Sequence, residues 1–359
     1  MTGFADKEAM EPDLAAVQHD AAQKQRPAPG EQVLVRCPGF QCLAYRDEQG
    51  TWRSVFGNQE LPDVLQVISG VDDEAAPPAS PDGIDRLLDQ VGRLPPAPRV
   101  LPRLLSILSN VDQDITQVVD LVAVDAVLTA KVLQICNSAY FGTSQPVRDV
   151  SEAVHRLGFQ TLYRSVAMVS GANCFKFPEA GAVDADRLWR ESVTAAFGAR
   201  FIAEDVGLDS SLLFTAGILH DLGKVVLAGA RQGAGALLVG GTVEENEAAL
   251  QWERATYGFG HAEIGGRLLE RWGFGEQLVA GVKYHHDPGA GGESAQVAAC
   301  VSLADTLAHR LNDTPVGQSV TSCGPPAALK LLGLAAEQLL CYDDRIRENL
   351  QFVEGMCRI

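Results

Sequence analysis

The chain has 359 residues, of which 46% are hydrophobic and only 6% aromatic, and it carries a formal net charge of −17. This length predicts two or three domains, or one large domain with extensions, and the shortage of aromatic residues favours packed helices over a β-sandwich. Because an acidic surface repels phosphate backbones, the composition argues against non-specific nucleic-acid binding.

The first 30 residues are polar, rich in Ala, Gln and Pro, and without periodicity, which predicts a disordered arm over residues 1–30. They contain no apolar core of the kind that secretion signals carry, and the sequence has no uninterrupted apolar run of about 18 residues. The eight cysteines follow neither a metal-binding nor a disulfide spacing. Together these features predict a cytoplasmic protein with no membrane span.

Residues 31–70 differ in pattern and predict a small β-containing module. Two β-rich runs flank the turn-forming sequence Asp47–Gly50, which predicts a β-hairpin. The following run, residues 61–68, fits either a short helix or another strand. Residues 71–83 are rich in Pro, Ala and acidic residues, so we expect a linker there.

From about residue 84 the apolar residues recur at helical spacing, punctuated by Gly and Pro. This pattern predicts a helical domain over residues 84–312, followed by C-terminal helices over 313–359. In one of the predicted helices, EAVHRLG, Ser151 is the expected N-cap and Gly158 the expected C-terminal stop.

Six residues in the second half of the chain are of types that ligate metals and lie at the ends of predicted helices or, for Asp305, within one: His220, Asp221, His261, His285, His286 and Asp305. Imidazoles and carboxylates hold divalent metals and the water that such metals activate. Neighbours on a helix point about 100° apart, so an adjacent His-Asp pair at a helix end can reach one ion. We therefore expect these residues to converge in one site.

Other readings of the same residues remain open. His261 also fits an ordinary position at a helix N-terminus, and His285 and His286 fit the end of a helix, where the dipole favours imidazolium. Asp305 is also placed to pair with His309, four residues further along a helix. Glu253 and Glu263 fit supporting or capping roles.

The blocks NSAYFG (137–142) and LHDLGK (219–224), with LPPAPRVLPRLL (94–105) and VKYHHDP, carry a family resemblance. They are similar to the HD superfamily of metal-dependent phosphohydrolases, and more closely to its HDOD branch, over about residues 95–310. The resemblance implies an all-α fold, a two-lobed HD-domain-like helical bundle, to which the N-terminal β-hairpin is a small extension.

The resemblance also implies a ligand set, with one departure. HD enzymes open their metal constellation with a histidine on the helix before the His-Asp pair, and the matching position in LWRESV is Glu191. Lys224 matches the lysine that meets a substrate phosphate, although it also fits a cation at a helix end. The implied metal positions are Glu191, His220, Asp221, His261, His285, His286 and Asp305.

An extra carboxylate at Glu191 favours a hard cation such as Mg²⁺ or Mn²⁺ over Zn²⁺, and Fe remains a further candidate. It also makes a bound water less acidic. We therefore expect weak or absent metal binding and no physiological hydrolysis.

Two functions follow from the resemblance. The favoured one is a non-catalytic regulatory protein of bacterial signal transduction, with a degenerate metal pocket, that acts through signalling-protein partners. The alternative is a metal-dependent phosphohydrolase acting on a nucleotide or cyclic dinucleotide. The sequence leaves a homodimer open and identifies neither the input signal nor the partner.

Overall fold

In a computed structural model the protein divides into two compact units, Met1–Ala75 with Gly233–Leu237, and Ala76–Gln232 with Leu238–Ile359. The structure describes residues 29–30, 33–37, 40–54, 60–61, 64, 66–68, 81–91, 94–108, 115–138, 141, 145–175, 185–230, 249–251, 253–254, 256–313 and 324–356. The predicted disordered arm therefore lies outside the described residues, apart from a turn at residues 29 and 30.

The first unit contains a four-stranded antiparallel sheet in the order β3-β2-β1-β4. Its strands are β1 (Val33–Cys37), β2 (Phe40–Arg46), β3 (Trp52–Ser54) and β4 (Gln66–Ile68). The predicted hairpin is formed by β2 and β3, and Gly50 in their turn has a φ of 83°. The sheet is larger than that hairpin because β1 and β4 extend it, as a two-stranded hairpin is marginal alone. The run 61–68 ends in a strand.

The second unit is helical, which confirms the predicted fold class. The α-helices within its described residues are α1 (Pro81–Gln90), α2 (Val100–Leu108), α3 (Ile115–Ala123), α4 (Ala126–Cys136), α5 (Val150–Leu157), α6 (Phe159–Phe175), α7 (Ala185–Val206), α8 (Ser210–Leu219), α9 (Leu222–Ala230), α10 (His261–Arg271), α11 (Glu276–Lys283), α12 (Ala295–Asp313), α13 (Pro326–Leu332) and α14 (Cys341–Met356). Two 3₁₀-helices, Pro288–Ser294 and Ala336–Leu340, precede α12 and α14.

Helix α1 begins at Pro81, so the last three residues of the predicted linker are helical instead. Proline is favoured at the first helical position because its missing N–H is not needed there, and Asp82 in the first turn suits the helix dipole. Residues 71–80, the remainder of the predicted linker, lie outside the described residues.

Helices α2–α6 pack on one another as one lobe, and α7–α12 form a second lobe in which α7, α8 and α12 pack together. The stretch Ser210–Ala230, which spans α8 and α9, is long and apolar enough to cross a membrane, with a mean hydropathy of 1.4. However, 89% of its most apolar window is buried inside the protein. It is therefore the core segment of the second lobe.

Two glycines let the helices around this core approach closely. A Cβ at Gly217 in α8 would lie 2.6 Å from Ala196 Cα, and a Cβ at Gly223 in α9 would lie 1.9 Å from the carbonyl oxygen of His261. A side chain at Gly223 would therefore push the start of α10 away from the start of α9. This close contact sets the positions of the residues described next.

Candidate metal centre

The residues of the predicted site come from the ends and faces of several helices. His220 and Asp221 form the turn between α8 and α9. His261 is the first residue of α10, and His285 and His286 follow α11. All of these elements belong to the second lobe, so residues far apart in sequence meet in one region.

Two groups of potential ligands result. The first holds His261, His285 and His286, and the second holds His220, Asp221 and Asp305. Within each group, one ligand atom from every member lies within 4.8 Å of the others. The groups adjoin, because Nε2 of His261 lies 3.2 Å from Oδ1 of Asp221. The structure thus brings together six of the seven predicted positions, while their role as ligands stays a prediction.

Three histidines share one arrangement, in which Nδ1 meets an oxygen acceptor. Nδ1 of His220 donates to the carbonyl oxygen of Gly217 at 2.8 Å, and Nδ1 of His285 donates to that of Val282 at 2.6 Å. These bonds leave Nε2 of each ring directed elsewhere. A hydrogen-bonded second nitrogen of this kind orients the metal-ligating histidines of proteins.

His261 has the same arrangement with a charged acceptor. Its Nδ1 donates to the Glu253 carboxylate at 2.8 and 3.0 Å, and its backbone N–H donates to the same group at 2.6 Å. Glu253 is fully buried, and it takes the supporting role predicted for it. Glu263 instead caps α10, because its Oε2 accepts from the backbone N–H of Gly260 at 2.7 Å.

Opposite charges keep two residues of the second group, His220 and Asp221, in their charged forms. Burial lowers the pKa of His220, but the charges of Asp221 and Asp305 raise it to about 10. Burial raises the pKa of Asp221, yet the positive charges of His220 and Lys224 hold it well below its usual range. Without a metal, the second group therefore contains an ion-paired imidazolium.

In the first group, the pKa values of His261 and His285 shift in opposite directions. Burial lowers the pKa of His261, but the Glu253 carboxylate more than compensates and raises it. Burial and the neighbouring charges of His220 and His261 lower the pKa of His285 to about 3. His285 is therefore neutral, and its Nε2 lone pair is available to a cation.

Lys224, the predicted phosphate contact, is already paired. Its Nζ donates to Oδ2 of Asp221 at 2.8 Å, and only 6% of the residue is exposed. Burial lowers its pKa, but Asp221, Asp305 and Glu191 raise it above its usual range. The ammonium group thus neutralises part of the negative charge of the site.

Glu191, the departure from the family pattern, belongs to neither donor group among the described residues. It lies buried in α7, and its Oε1 accepts from Nε of Arg187 at 2.9 Å. This ion pair, which spans one helical turn, offsets part of the charge of Glu191. The Oε2 atom of Glu191 is buried without a hydrogen-bond partner among the described residues, and the charge of Glu191 still raises the pKa of Lys224. Arg187 could not be singled out from the sequence, because i, i+4 ion pairs on helices are too common to mark a residue of a site.

Asp305 contacts both His220 in the site and His309 on its own helix, while its role as a metal ligand stays a prediction. Its Oδ1 lies 3.2 Å from Nε2 of His220 and 3.1 Å from Nε2 of His309. The local pair with His309 therefore does not remove Asp305 from the site, and instead holds the carboxylate beside His220.

The donor set fits a divalent metal. Oδ1 of Asp221 and Nε2 of His285 are buried without a hydrogen-bond partner, and such atoms are costly unless a ligand satisfies them. An imidazole-rich set with two carboxylates suits Mn²⁺, Fe²⁺ or Zn²⁺ better than Mg²⁺.

A two-lobed helical domain with a His-Asp pair, further histidines and an aspartate in one buried centre is the HD-type arrangement. The model of the HDOD domain family matches residues 94–288, more than half of the chain. The chain belongs to the HDOD domain family, which confirms the resemblance seen in the sequence.

Two solved structures share this fold. An HDOD domain protein of unknown function from Geobacter sulfurreducens covers 77% of this chain and 96% of its own, with 24% identity and a TM-score of 0.61. A proposed signal transduction protein from Marinobacter aquaeolei VT8 covers 79% of this chain and 66% of its own, with 20% identity and a TM-score of 0.54. These likenesses show the fold alone.

An uncharacterized protein from Treponema pallidum (strain Nichols) is 27% identical over 259 residues, which is 71% of this chain and 49% of the relative. The chain thus spans about half the length of that relative.

Proposed function

We propose that this chain is a non-catalytic regulatory protein of bacterial signal transduction, which acts in the cytoplasm through protein partners. In place of the weak or absent metal binding expected from the sequence, we propose that its centre holds a divalent metal for structure and not for turnover, because Oδ1 of Asp221 and Nε2 of His285 are buried without a hydrogen-bond partner among the described residues. The observation that supports the proposal is the burial of four of the six donors: His220 is 0% exposed, Asp221 1%, His261 2% and His285 0%, whereas His286 and Asp305 are partly exposed. A phosphate ester needs access to such groups to react.

The chemistry of the paired groups points the same way. The Lys224 ammonium, which would otherwise meet a substrate phosphate, is engaged by Asp221. The position that opens the constellation in HD enzymes holds Glu191, which is engaged by Arg187. A bound metal would supply Lewis acidity and an activated water, and would be held by the imidazoles of His220, His261 and His285 with carboxylates beside them.

The alternative, a phosphohydrolase acting on a nucleotide or cyclic dinucleotide, is favoured by one observation. Two donor groups adjoin, and paired metals clamp the attacking and leaving oxygens in many phosphoesterases. The two functions therefore differ in turnover more than in metal binding.

Metal content and hydrolysis separate the two functions. We expect purified wild-type protein to contain a transition metal by elemental analysis, and His220→Ala to lose most of it. With Mn²⁺ and a panel of nucleotides, cyclic dinucleotides and a chromogenic phosphodiester, both proteins should give the same background rate.

Glu191→His serves as the matched variant, since it restores the residue that HD enzymes carry, and we expect no turnover from it while Lys224 stays paired with Asp221. Wild-type hydrolysis at ordinary enzymatic rates that disappears in His220→Ala would show that the regulatory proposal is wrong. Wild-type protein without metal would instead contradict the structural role of the metal.

A further inference from the structure

One positively charged side chain lies inside the metal centre without being one of its donors. Lys224 is in the first turn of α9, three residues after Asp221, and its Nζ donates to Oδ2 of Asp221 at 2.8 Å. Only 6% of the residue is exposed. Because lysine is rarely buried unless it is paired, this ammonium is part of the centre and not a surface charge that happens to lie near it.

The Lys224 ammonium and a metal would use the same carboxylates. The oxygen that Lys224 holds, Oδ2 of Asp221, also lies 3.3 Å from Nε2 of His220, a second donor. Burial lowers the pKa of Lys224, whereas three nearby carboxylates raise it: Asp221, Asp305 and Glu191. Asp221 and Asp305 are donors of the second group. The ammonium therefore supplies these two carboxylates with the positive charge that a metal would supply.

An ammonium and a divalent metal repel each other when they share carboxylates. Like charges that lie a few ångströms apart interact strongly where water is excluded, and the ammonium offers a metal no lone pair. Metal binding to Asp221 must therefore overcome this repulsion or displace Lys224 from the carboxylate. The flexible four-carbon stem of lysine allows the displacement.

Glu191 offers the displaced ammonium a second acceptor. It is 1% exposed, and its Oε1 accepts from Nε of Arg187 at 2.9 Å. Its Oε2 is buried without a hydrogen-bond partner among the described residues, and such an oxygen is costly unless a donor reaches it. An ammonium carries three donors, of which Lys224 uses one for Asp221. The two groups thus complement each other.

From these contacts we propose that Lys224 is an internal counter-ion that competes with the metal for Asp221, and that Glu191 receives its ammonium when a metal binds. The metal affinity of the centre is then set by a residue that is not a ligand. In either position a carboxylate of the protein engages the ammonium, so it stays unavailable to a substrate phosphate. The inference deepens the proposed function and rests on it, since both place a metal at this centre.

The test is the affinity of the full chain for Mn²⁺, measured at fixed pH by competition with a chelator. Lys224→Met keeps the length of the side chain and removes its charge, and we expect it to bind Mn²⁺ about 10- to 100-fold more tightly than wild type, because a nearby like charge is lost. A ligand variant such as His220→Ala changes the affinity in the opposite direction.

Lys283→Met is the matched control for the loss of one positive charge. Lys283 ends α11 two residues before His285, but its Nζ lies over the Tyr284 ring, 5.0 Å from the centroid. Its Mn²⁺ affinity should stay within about threefold of wild type, since water screens the charge of a partly exposed lysine.

Thermal unfolding guards against a variant that misfolds. Without metal, Lys224→Met should unfold at a lower temperature than wild type, because the buried Asp221 carboxylate loses its partner. One fixed concentration of Mn²⁺ should then raise the unfolding temperature of Lys224→Met by more than that of wild type, since stabilisation by a ligand grows with its affinity. Lys224→Gln, which is polar and uncharged, should also bind Mn²⁺ more tightly than wild type.

Glu191→Gln tests the second acceptor. It should weaken Mn²⁺ binding about 10-fold in the wild-type background, and by less than about threefold beside Lys224→Met, where no ammonium has to be received. Equal losses in the two backgrounds would show that Glu191 acts on the metal directly and would overturn its role for Lys224.

The competition itself is wrong if Lys224→Met and Lys224→Gln bind Mn²⁺ no more tightly than wild type does. That failure differs from a failure of the proposed function. Wild type that takes up no Mn²⁺, beside a Lys224→Met protein that binds it, would contradict the structural role of the metal and support the competition.

Discussion

At the scale of single residues, the orientation of His261 depends on one buried carboxylate. Glu253 accepts both the backbone N–H and the Nδ1 proton of His261, so it fixes the ring and makes Nε2 the available nitrogen. Partners of this kind raise the basicity of metal-ligating histidines, and their loss costs about 10- to 100-fold in metal affinity.

We therefore expect Glu253→Gln to lower the affinity for Mn²⁺ or Zn²⁺ by about 10- to 100-fold, measured by competition with a chelator at fixed pH. Glu263→Gln is the matched control, because Glu263 lies at the same end of α10 but bonds to Gly260. Its affinity should stay within about threefold of wild type, since it does not touch His261. Equal affinities for the two variants would contradict the orienting role of Glu253.

The site shows which residue-scale features a sequence can predict. The positions of His220, Asp221, His261, His285 and His286 followed from motifs. The capture of Glu191 by Arg187 and the pairing of Lys224 with Asp221 did not, because they depend on which of several nearby charges a side chain meets after folding. The sequence pattern names the groups, and the folded geometry chooses their partners.

At the scale of elements, the approach of α9 to α10 is set by the glycine of the LHDLGK block. Gly223→Ala would place a Cβ 1.9 Å from the carbonyl oxygen of His261, and backbone cannot rotate away as a side chain does. We expect a loss of unfolding free energy of about 3 kcal/mol or more, measured by denaturant titration.

Gly198→Ala is the control for Gly223→Ala, since both are helical glycines. Its Cβ would meet Leu307 and Ala304 at 3.4–3.5 Å, which is ordinary contact. Alanine is also the better helix former by about 1 kcal/mol, so this variant should be neutral or stabilising. A Gly223→Ala protein as stable as Gly198→Ala would show that the helices have room to separate.

Some elements were predicted well and others poorly, for physical reasons. The stop at Gly158 is found, with a φ of 82°, but the N-cap of α5 is Asp149, whose side chain accepts from the Glu152 N–H. Ser151 lies inside the helix instead, and both residue types can cap, so only the backbone angles decide. The strands β3 and β4 have three residues each, which is too short for a periodic pattern. The predicted helix end at His220 is a turn, and the chain continues after it as α9.

A partly exposed network of ion pairs links α1 to α10. The Asp85 carboxylate accepts from Nε and Nη2 of Arg267 at 2.8 and 2.6 Å, and from Nε of Arg271 at 3.1 Å. Hydrogen bonds from Arg267 outweigh burial and lower the pKa of Asp85 to about 2. A lowered carboxyl pKa contributes stability above the unfolded value of 3.8 that is lost as the pH falls towards 2.

We expect Asp85→Asn to be less stable than wild type by about 1 kcal/mol at neutral pH and low salt. The difference should shrink between pH 4 and pH 2, and also at high salt, because solvent screens this network. Asp89→Asn, which removes one contact of a 69% exposed side chain, should change stability by only a few tenths of a kcal/mol. A difference that persists at pH 2 would assign the effect to packing.

At the scale of the whole molecule, the helical unit keeps its fold at low sequence identity to its relatives. The Geobacter sulfurreducens protein matches it at 24% identity, which is possible because apolar periodicity and total core volume specify such a bundle more than individual side chains do. The close helix contacts at Gly217 and Gly223 are exceptions, since they require a particular residue. The fold class was therefore predictable from pattern, whereas the relation of the N-terminal sheet to function was not.

The helical unit should fold without residues 1–75. The boundary of the two units falls after Ala75, and Glu74 gives a glutamyl endopeptidase a cleavage site within the predicted linker. Helix α1 belongs to the helical unit, where it packs on α9 and α10 and buries Ile84 and Leu88. A chain of residues 76–359 should therefore unfold cooperatively by circular dichroism, with metal affinity within about threefold of the full chain.

Residues 92–359, which lack α1, should be less stable by about 2–4 kcal/mol, since apolar surface on α9 and α10 is uncovered. Equal stability of the two truncated chains would show that α1 is not part of the folding unit, and aggregation of residues 76–359 alone would show that the sheet is required for folding.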